Sequence, residues 1–342
     1  MLLSEFDYHL PEELIAQQPI EPRDASKLMV LLHGVNGPLH DIFSNLPTYL
    51  KPGDTLVLND TKVIPARLFG IKADTKAKIE VFLLTRTAMD TWEVLVRPGK
   101  KARPGITIIF GDGQLRCDVL DTTPAGGRIV RFSYQGLFED ILAQLGQTPL
   151  PPYIKSTLAD PERYQTIYAK TDGSVAAPTA GLHFTPNLVE GLQQMGVQLT
   201  YVTLHVGLGT FRPVSVTNLA EHQMHREYFE IRPETAEIIN TAKQKGGRII
   251  SVGTTSTRVL ETVADANGLI QAGQGWTDIF IYPGYQFKLI DGLITNFHLP
   301  QSTLLMLVSA LIGREKIMAA YEEAIRCKYR FFSFGDAMLI LP

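Results

Sequence analysis

Four short segments concentrate Gly, Thr, Ser, Asn and His at the ends of apolar runs or at the starts of helical ones. In an open α/β sheet, ligands gather at such strand ends. The first, SVAAPTAGLHFT (174–185), contains His183, its one side chain that titrates near neutrality, among small residues that allow close approach to a ligand. A tight linker with a hydrogen-bonded structural histidine would use the same residues. The second, LHVGLGTFRP, carries His205, Gly207, Gly209, Thr210 and Arg212. It superficially resembles a dinucleotide fingerprint. Gly209 leads into Thr-Phe-Arg-Pro and not into a helix, and a phosphate cradle needs a helix N-terminus, so a nucleotide-cofactor motif is excluded here. The third, SVGTTSTRVLE, sets Gly253, Thr254, Thr255 and Ser256 between a strand-like run and a helix carrying Arg258. Free backbone N–H groups and hydroxyls in that context suit a carboxylate or a phosphate, although ordinary Ser/Thr capping uses the same pattern. No Walker lysine is present, so nucleotide hydrolysis is not indicated. In the fourth, LITNFHLPQST, Asn296 and His298 precede a helix, and an Asn amide matches a base edge because it both donates and accepts.

One metal signal competes. His222 and His225 stand at HxxH spacing beside Glu221 and Glu227, but HQMHREYFEI turns strand-like at once, and a third placed ligand is missing. We expect no metal. Composition narrows the class. The chain has 342 residues, 45% of them hydrophobic and 20% charged, with a net charge of −3. That is an ordinary globular balance, not that of a protein coating nucleic acid indiscriminately. Charge is uneven, however: residues 60–103 hold ten Lys/Arg against five Asp/Glu. Cys117 and Cys327 lack CxxC spacing, which fits a reducing cytoplasm. The N-terminus has no signal-peptide pattern, and the apolar run 304–312 is far below the roughly 20 residues that span a bilayer.

The elements that must position these loops follow from periodicity. Residues 1–60 read as α/β, with strands at KLMVLL and TLVLND and a helix from Asp41 that puts Phe43, Leu46 and Leu50 on one face. From Val63 to Tyr134, short strands recur about every ten residues with no helix between them, which predicts a small antiparallel barrel or sandwich. A helix at LFEDILAQLG and the proline-rich QTPLPPYIK follow. Thereafter strands and helices alternate: Asp160-Pro161 and Thr185-Pro186 read as helix starts, WTDIFIYP and LITNF as strands, and two helices come last. The predicted fold class is an α/β sheet with helices on its faces plus an inserted antiparallel β-barrel. The predicted domains are 1–62 with 150–342, and 63–149.

Together, FDYHLPEELIAQQPIEPRDASKLMVL, LVLNDTKVIPARLFG, SVAAPTAGLHFT, LHVGLGTFRPV, MHREYFEI, VGTTSTRVLE, TDIFIYPGY and LITNFHLPQSTLLMLVSAL resemble, in order and over nearly the whole chain, the S-adenosylmethionine:tRNA ribosyltransferase-isomerases of queuosine biosynthesis. The resemblance implies transfer and isomerisation of the ribosyl group of S-adenosylmethionine onto 7-aminomethyl-7-deazaguanine at the wobble position of tRNA. Epoxyqueuosine would form, and adenine and methionine would leave. It implies S-adenosylmethionine as co-substrate, no bound cofactor or metal, and an α/β domain with an inserted barrel. A cytoplasmic monomer is expected. The sulfonium acidifies the ribose 5′ carbon, and adenine must be helped to leave. Histidines with a pKa near 6.5 can serve either step, so His183, His205 and His298 are the acid–base candidates, with Asp278 as orienter or base. Gly253, Thr254, Thr255, Ser256 and Arg258 are expected to anchor the methionine portion. Asn296 and Arg212 are expected at the base, and Arg67, Arg97, Lys100 and Lys101 of the basic segment at tRNA phosphates.

Overall fold

The computed structural model describes residues 1–342 apart from 157, 159, 208–213 and 215. The chain divides into two units: Met1–Lys62, Pro152–Thr171 and Ala177–Pro342 form one, and Val63–Pro151 with Asp172–Ala176 form the other.

The first unit is built on a mixed sheet of nine strands among the described residues. Four run parallel side by side at its centre: Gln198–Leu204, Thr55–Asn59, Ile249–Val252 and Gly292–Asn296. Beyond Gly292–Asn296 lie Ala337–Leu341, antiparallel to it, then Lys27–Leu32 and the edge strand Leu39–Ile42. On the other side follow Glu227–Ile231 and the edge strand Gly273–Thr277. KLMVLL is apolar at nearly every position because both faces are covered. Leu28 and Val30 pack with Phe43, Phe184, Leu188 and Leu339 on one face. Met29 and Leu31 pack with Met338, Ile340 and the Thr303–Ile312 and Arg314–Arg326 helices on the other.

The second unit is a closed antiparallel barrel. Arg67–Lys72, Lys78–Ala88, Thr91–Arg97, Arg128–Tyr134, Leu115–Thr122 and Thr107–Phe110 pair in that order, and Ile71 and Lys72 pair with Ile109 and Ile108 to close it. At the closing seam Gly70 is required: a Cβ there would stand 2.7 Å from the Ile109 carbonyl and the Phe110 ring. Sheet and barrel match the fold class expected from sequence.

Several local expectations hold. The Thr185 hydroxyl accepts the Leu188 N–H at 3.2 Å at the start of the Pro186–Gln194 helix, and Gly196, at φ +87°, ends that turn. Two expectations are corrected. The segment from Asp41 is not an α-helix: Leu39–Ile42 is a strand, and Phe43–Tyr49 is a 3-10 helix with Pro47 inside it. Pro47 has no N–H to give to an α-helical bond, while Phe43 and Leu46 still reach the core. Of the strand expected over WTDIFIYP only Trp276 and Thr277 are paired, at the end of Gly273–Thr277, because the partner strand begins at Glu227, opposite Thr277. No described helix is long and apolar enough to cross a membrane.

Candidate active site

The four parallel strands end at one edge of the sheet, delivering Asp60, His205, Gly253 and the Phe297–His298 turn. Ala337–Leu341 runs the opposite way and pairs Ala337 with Asn296, so its starting residue, Asp336, opens at that same edge. Lys27–Leu32 lies parallel to Ala337–Leu341, with Leu28 opposite Ala337, which brings Ser26 there as well.

His183 ends the Thr179–His183 turn, which packs on the Gly292–Asn296 strand and the Gly253–Val263 helix. Gly181 makes this turn possible, since a Cβ at that position would stand 2.0 Å from the Tyr168 hydroxyl. The His183 ring is buried and stacked on Phe43, with centroids 4.9 Å apart. Both ring nitrogens are engaged: Nδ1 lies 2.8 Å from Ser26 Oγ, and Nε2 3.3 Å from Asn296 Nδ2. The Asn296 amide nitrogen also donates to the Phe332 carbonyl at 3.0 Å, and a carbonyl can only accept, so the orientation of the amide is fixed. His183 Nε2 is then an acceptor, and its Nδ1–H donates to Ser26. Burial, reinforced by Arg330 and Arg23, lowers the His183 pKa to about 3. The ring is neutral at physiological pH. Asn296 Oδ1, left over from this arrangement, is buried with no partner among the described residues.

The Gly253–Val263 helix starts directly from its strand, with Gly253 at φ +84° and no side-chain cap, so the capping alternative does not hold. Thr255 Oγ1 and Ser256 Oγ are buried without partners among the described residues. Arg258 Nη1 pairs with Glu227, both side chains being buried, and the other Glu227 oxygen accepts the Gly207 N–H at 3.1 Å. Arg258 Nε and Nη2 have no partner among the described residues. Each such buried group costs about 1–3 kcal/mol if left unsatisfied, and several lie along this strand edge.

The remaining candidates separate. His205 Nδ1 lies 2.8 Å from Thr61 Oγ1, and its ring stacks on Tyr228 at 5.9 Å. Its strand is three positions from that of Asn296 in the sheet, about 14 Å at roughly 4.8 Å per strand. His298 is buried, with Nε2 2.9 Å from Thr295 Oγ1, its backbone N–H on the Tyr321 hydroxyl at 2.9 Å and its carbonyl accepting from Tyr8. Burial lowers its pKa to about 3. Asp278 is exposed just past the far edge strand, five strand positions from Asn296. The expected acid–base set is therefore not one cluster. Arg212, with Gly209 and Thr210, lies outside the described residues. Glu227, read beside HxxH, turns inward to Arg258, while His222 packs edge-on against Phe280. In the barrel, Arg67 pairs with Glu80 at 3.3 Å, and Arg97, Lys100 and Lys101 are exposed.

Sequence reasoning passed over Arg330 and Asp336. The Asp336 carboxylate accepts the N–H groups of Arg330 at 2.7 Å and Lys27 at 3.0 Å. Burial raises its pKa. Arg330 Nη2 is buried without a partner among the described residues. Phe332, whose carbonyl orients Asn296, sits at φ +70°, a strained conformation for a bulky residue and one that clusters at functional sites. Nothing in the spacing of RFFSFGDAM announces this.

The family model described as queuosine biosynthesis protein matches residues 3–340. The S-adenosylmethionine:tRNA ribosyltransferase-isomerase of Moorella thermoacetica is 62% identical over 343 residues, covering 100% of both chains. That of Caldanaerobacter subterraneus subsp. tengcongensis is 60% identical over 341 residues, again covering 100% of both. The crystal structure of S-adenosylmethionine tRNA ribosyltransferase from Thermotoga maritima has a TM-score of 0.56 at 42% identity, covering 99% of this chain and 100% of that one.

The two neutral histidines set a pH dependence. In the unfolded chain His183 and His298 take up protons near pH 6.5, while in the folded chain they do so only near 3. Stability is fully present above about pH 6.5 and is lost as pH falls toward 3, each histidine removing about 2 kcal/mol by pH 5. Urea midpoints between pH 7 and 5 should fall, and less steeply in His298→Gln. Equal slopes in the two proteins would refute the assignment.

Proposed function

This chain belongs to the queuosine biosynthesis protein family, and we propose that its reaction takes place at the strand edge holding His183, Asn296 and the Gly253–Arg258 turn. It is an S-adenosylmethionine:tRNA ribosyltransferase-isomerase. It transfers and isomerises the ribosyl group of S-adenosylmethionine onto 7-aminomethyl-7-deazaguanine in tRNA, giving epoxyqueuosine and releasing adenine and methionine. The observation that best supports the location is that residues along this strand edge carry buried polar atoms without partners among the described residues: Asn296 Oδ1, Thr255 Oγ1, Ser256 Oγ and two nitrogens of Arg258.

On this reading the turn from Gly253 to Ser256 and the open side of Arg258 receive the methionine carboxylate, an anion suited to an uncapped helix start. Asn296 Oδ1 accepts an N–H from a substrate base, with Arg212 assigned to the same task. His183 cannot give a proton at neutral pH, since its Nδ1–H is committed to Ser26 and its ring holds no charge. It positions Asn296. The proton leaving the ribose 5′ carbon, acidified by the sulfonium, goes to a base, for which His205 remains a candidate. His298, its ring on the Thr295 hydroxyl, receives no step, and neither does Asp278. The sulfonium itself supplies both acidity and leaving group, so the chemistry asks for no resident metal or cofactor. A cytoplasmic monomer made of the discontinuous domain 1–62 with 150–342 and the inserted domain 63–149 completes the proposal. Arg67, Arg97, Lys100 and Lys101 of the inserted domain meet tRNA phosphates.

The deciding assay incubates the protein with S-adenosylmethionine and tRNA carrying the 7-aminomethyl-7-deazaguanine base. Free adenine and methionine are expected. Release of S-adenosylhomocysteine would mean methyl transfer, and no product at all would mean a binding module.

Arg258→Ala should weaken S-adenosylmethionine binding roughly tenfold to hundredfold, the worth of a charge-assisted hydrogen bond. Because Ala also strands the buried Glu227, Arg258→Lys is the cleaner variant: it retains a cation for Glu227 but loses the planar second face. Calorimetry showing native affinity in Arg258→Lys would remove Arg258 from the site.

Neutralising Lys100 and Lys101 together should weaken tRNA binding and flatten its salt dependence by about 0.7–0.9 in log–log slope per lost phosphate contact. S-adenosylmethionine affinity should be unchanged. Superimposable salt titrations for wild type and variant would make these lysines bystanders.

A further inference from the structure

At the far side of the same sheet, three rings and a cation share one face. His205 stacks on Tyr228 at 5.9 Å with an 18° interplanar angle, Tyr228 meets Trp276 edge-on at 5.8 Å, and the Arg226 guanidinium lies over the Trp276 ring at 5.9 Å. Strand alternation sorts these residues. Glu227, Phe229 and Ile231 are buried, while Tyr228 and Glu230 point the other way, and Tyr228 is paired in register with Trp276. The Tyr228 hydroxyl, donating to Gln274 at 2.6 Å, holds its ring in place.

A cross-strand aromatic pair stabilises a sheet by only about 0.2–1 kcal/mol. A tryptophan recruited for that purpose alone would be covered. Trp276 is 47% exposed, whereas Trp92, the only other tryptophan in the chain, is 8% exposed. Flat rings presented to solvent beside an arginine are the means by which proteins hold unpaired nucleobases: each base has a π-face to stack, and the cation suits the neighbouring phosphate. A duplex, whose bases are already stacked on each other, offers no such face.

We propose that Trp276 and Tyr228, flanked by Arg226, form a stacking platform for unpaired bases of the tRNA anticodon loop next to the modified nucleotide. This rests on the reading of tRNA as substrate. It assigns RNA contacts to the α/β unit in addition to those of the barrel. The platform starts at His205, which ends a central strand at the proposed reaction edge, and extends outward to the sheet margin, so an RNA loop lying along it leads toward that edge.

The tryptophan content allows a direct test. In a Trp92→Phe background all indole emission comes from Trp276. Titration with an anticodon stem–loop RNA should quench it saturably, and a fully paired duplex of the same stem should not. Trp276→Leu should weaken stem–loop binding roughly tenfold or more, Trp276→Phe should largely restore it, and S-adenosylmethionine affinity should stay the same. If Trp92→Phe does not fold, the difference in emission between wild type and Trp276→Phe supplies the same signal. Unchanged emission at RNA saturation, checked by anisotropy of labelled RNA, overturns the proposal. So does equal quenching by the duplex, or native affinity in Trp276→Leu. Adenine release by the wild-type protein separates the two levels: with release but a silent Trp276, only the platform fails; without release, the functional reading fails.

Discussion

The Ala337–Leu341 strand, every residue of it buried, lies between Gly292–Asn296 and Lys27–Leu32 and joins the two ends of the chain into one sheet. Its direction matters as much as its position. Because it runs against Gly292–Asn296, Asp336 comes to lie beside Asn296, and because Lys27–Leu32 follows it in parallel, Ser26 arrives next to both. The pairing of residue 337 with 296 and of residue 28 with 337 therefore builds the environment of His183 from parts more than a hundred residues apart. A one-residue slip would exchange the Leu28/Val30 face for the Met29/Leu31 face, exposing each to the wrong core, so the same packing that holds the sheet also fixes the register of the site.

That environment is dry, and its electrostatics follow. A buried histidine near Arg330 and Arg23 cannot easily accept a proton, and a buried carboxylate at Asp336 is pushed toward its neutral form even with two N–H donors. Burial acts oppositely on base and acid, moving both toward neutrality. What remains at the strand edge is a set of oriented dipoles, with the Asn296 amide held between a backbone carbonyl and a ring nitrogen. Dipoles held in this way need no reorganisation to interact with a polar group.

Much of this organisation was legible in the sequence where one local rule decided the outcome. Six short strands without helices between them closed into a barrel, and Thr185-Pro186 capped a helix as its composition required. The failures came where two signals competed. Phe43, Leu46 and Leu50 carry helical spacing, but Pro47 denies the hydrogen bond and leaves a 3-10 turn that buries the same side chains. AMLIL at the C-terminus is a short apolar run without alternation, and no periodicity tells such a run from a helix fragment, so the strand that joins the two ends of the chain went unread. At the site, residue type pointed to three histidines, and type was insufficient. His183 and His298 share a low pKa from burial, yet the ring of one meets the Asn296 amide and that of the other meets the Thr295 hydroxyl. Arg330 and Asp336 needed the fold, because only pairing in three dimensions puts them beside Ser26 and Asn296.

The lateral order of the sheet carries the last step. From Asn296 the neighbouring strand leads to Gly253 and Arg258, the next to Asp60, the next to His205, then to Tyr228, and finally to half-exposed Trp276. Burial decreases along that line while polar chemistry gives way to flat aromatic surface. At the dry end dipoles act at full strength. At the wet end a phosphate would not need to be stripped of water to be held. One sheet edge thus offers an enclosed polar end and a solvated aromatic end. The two ends can be perturbed separately, since no hydrogen bond among the described residues links Trp276 to the His183–Asn296 pair.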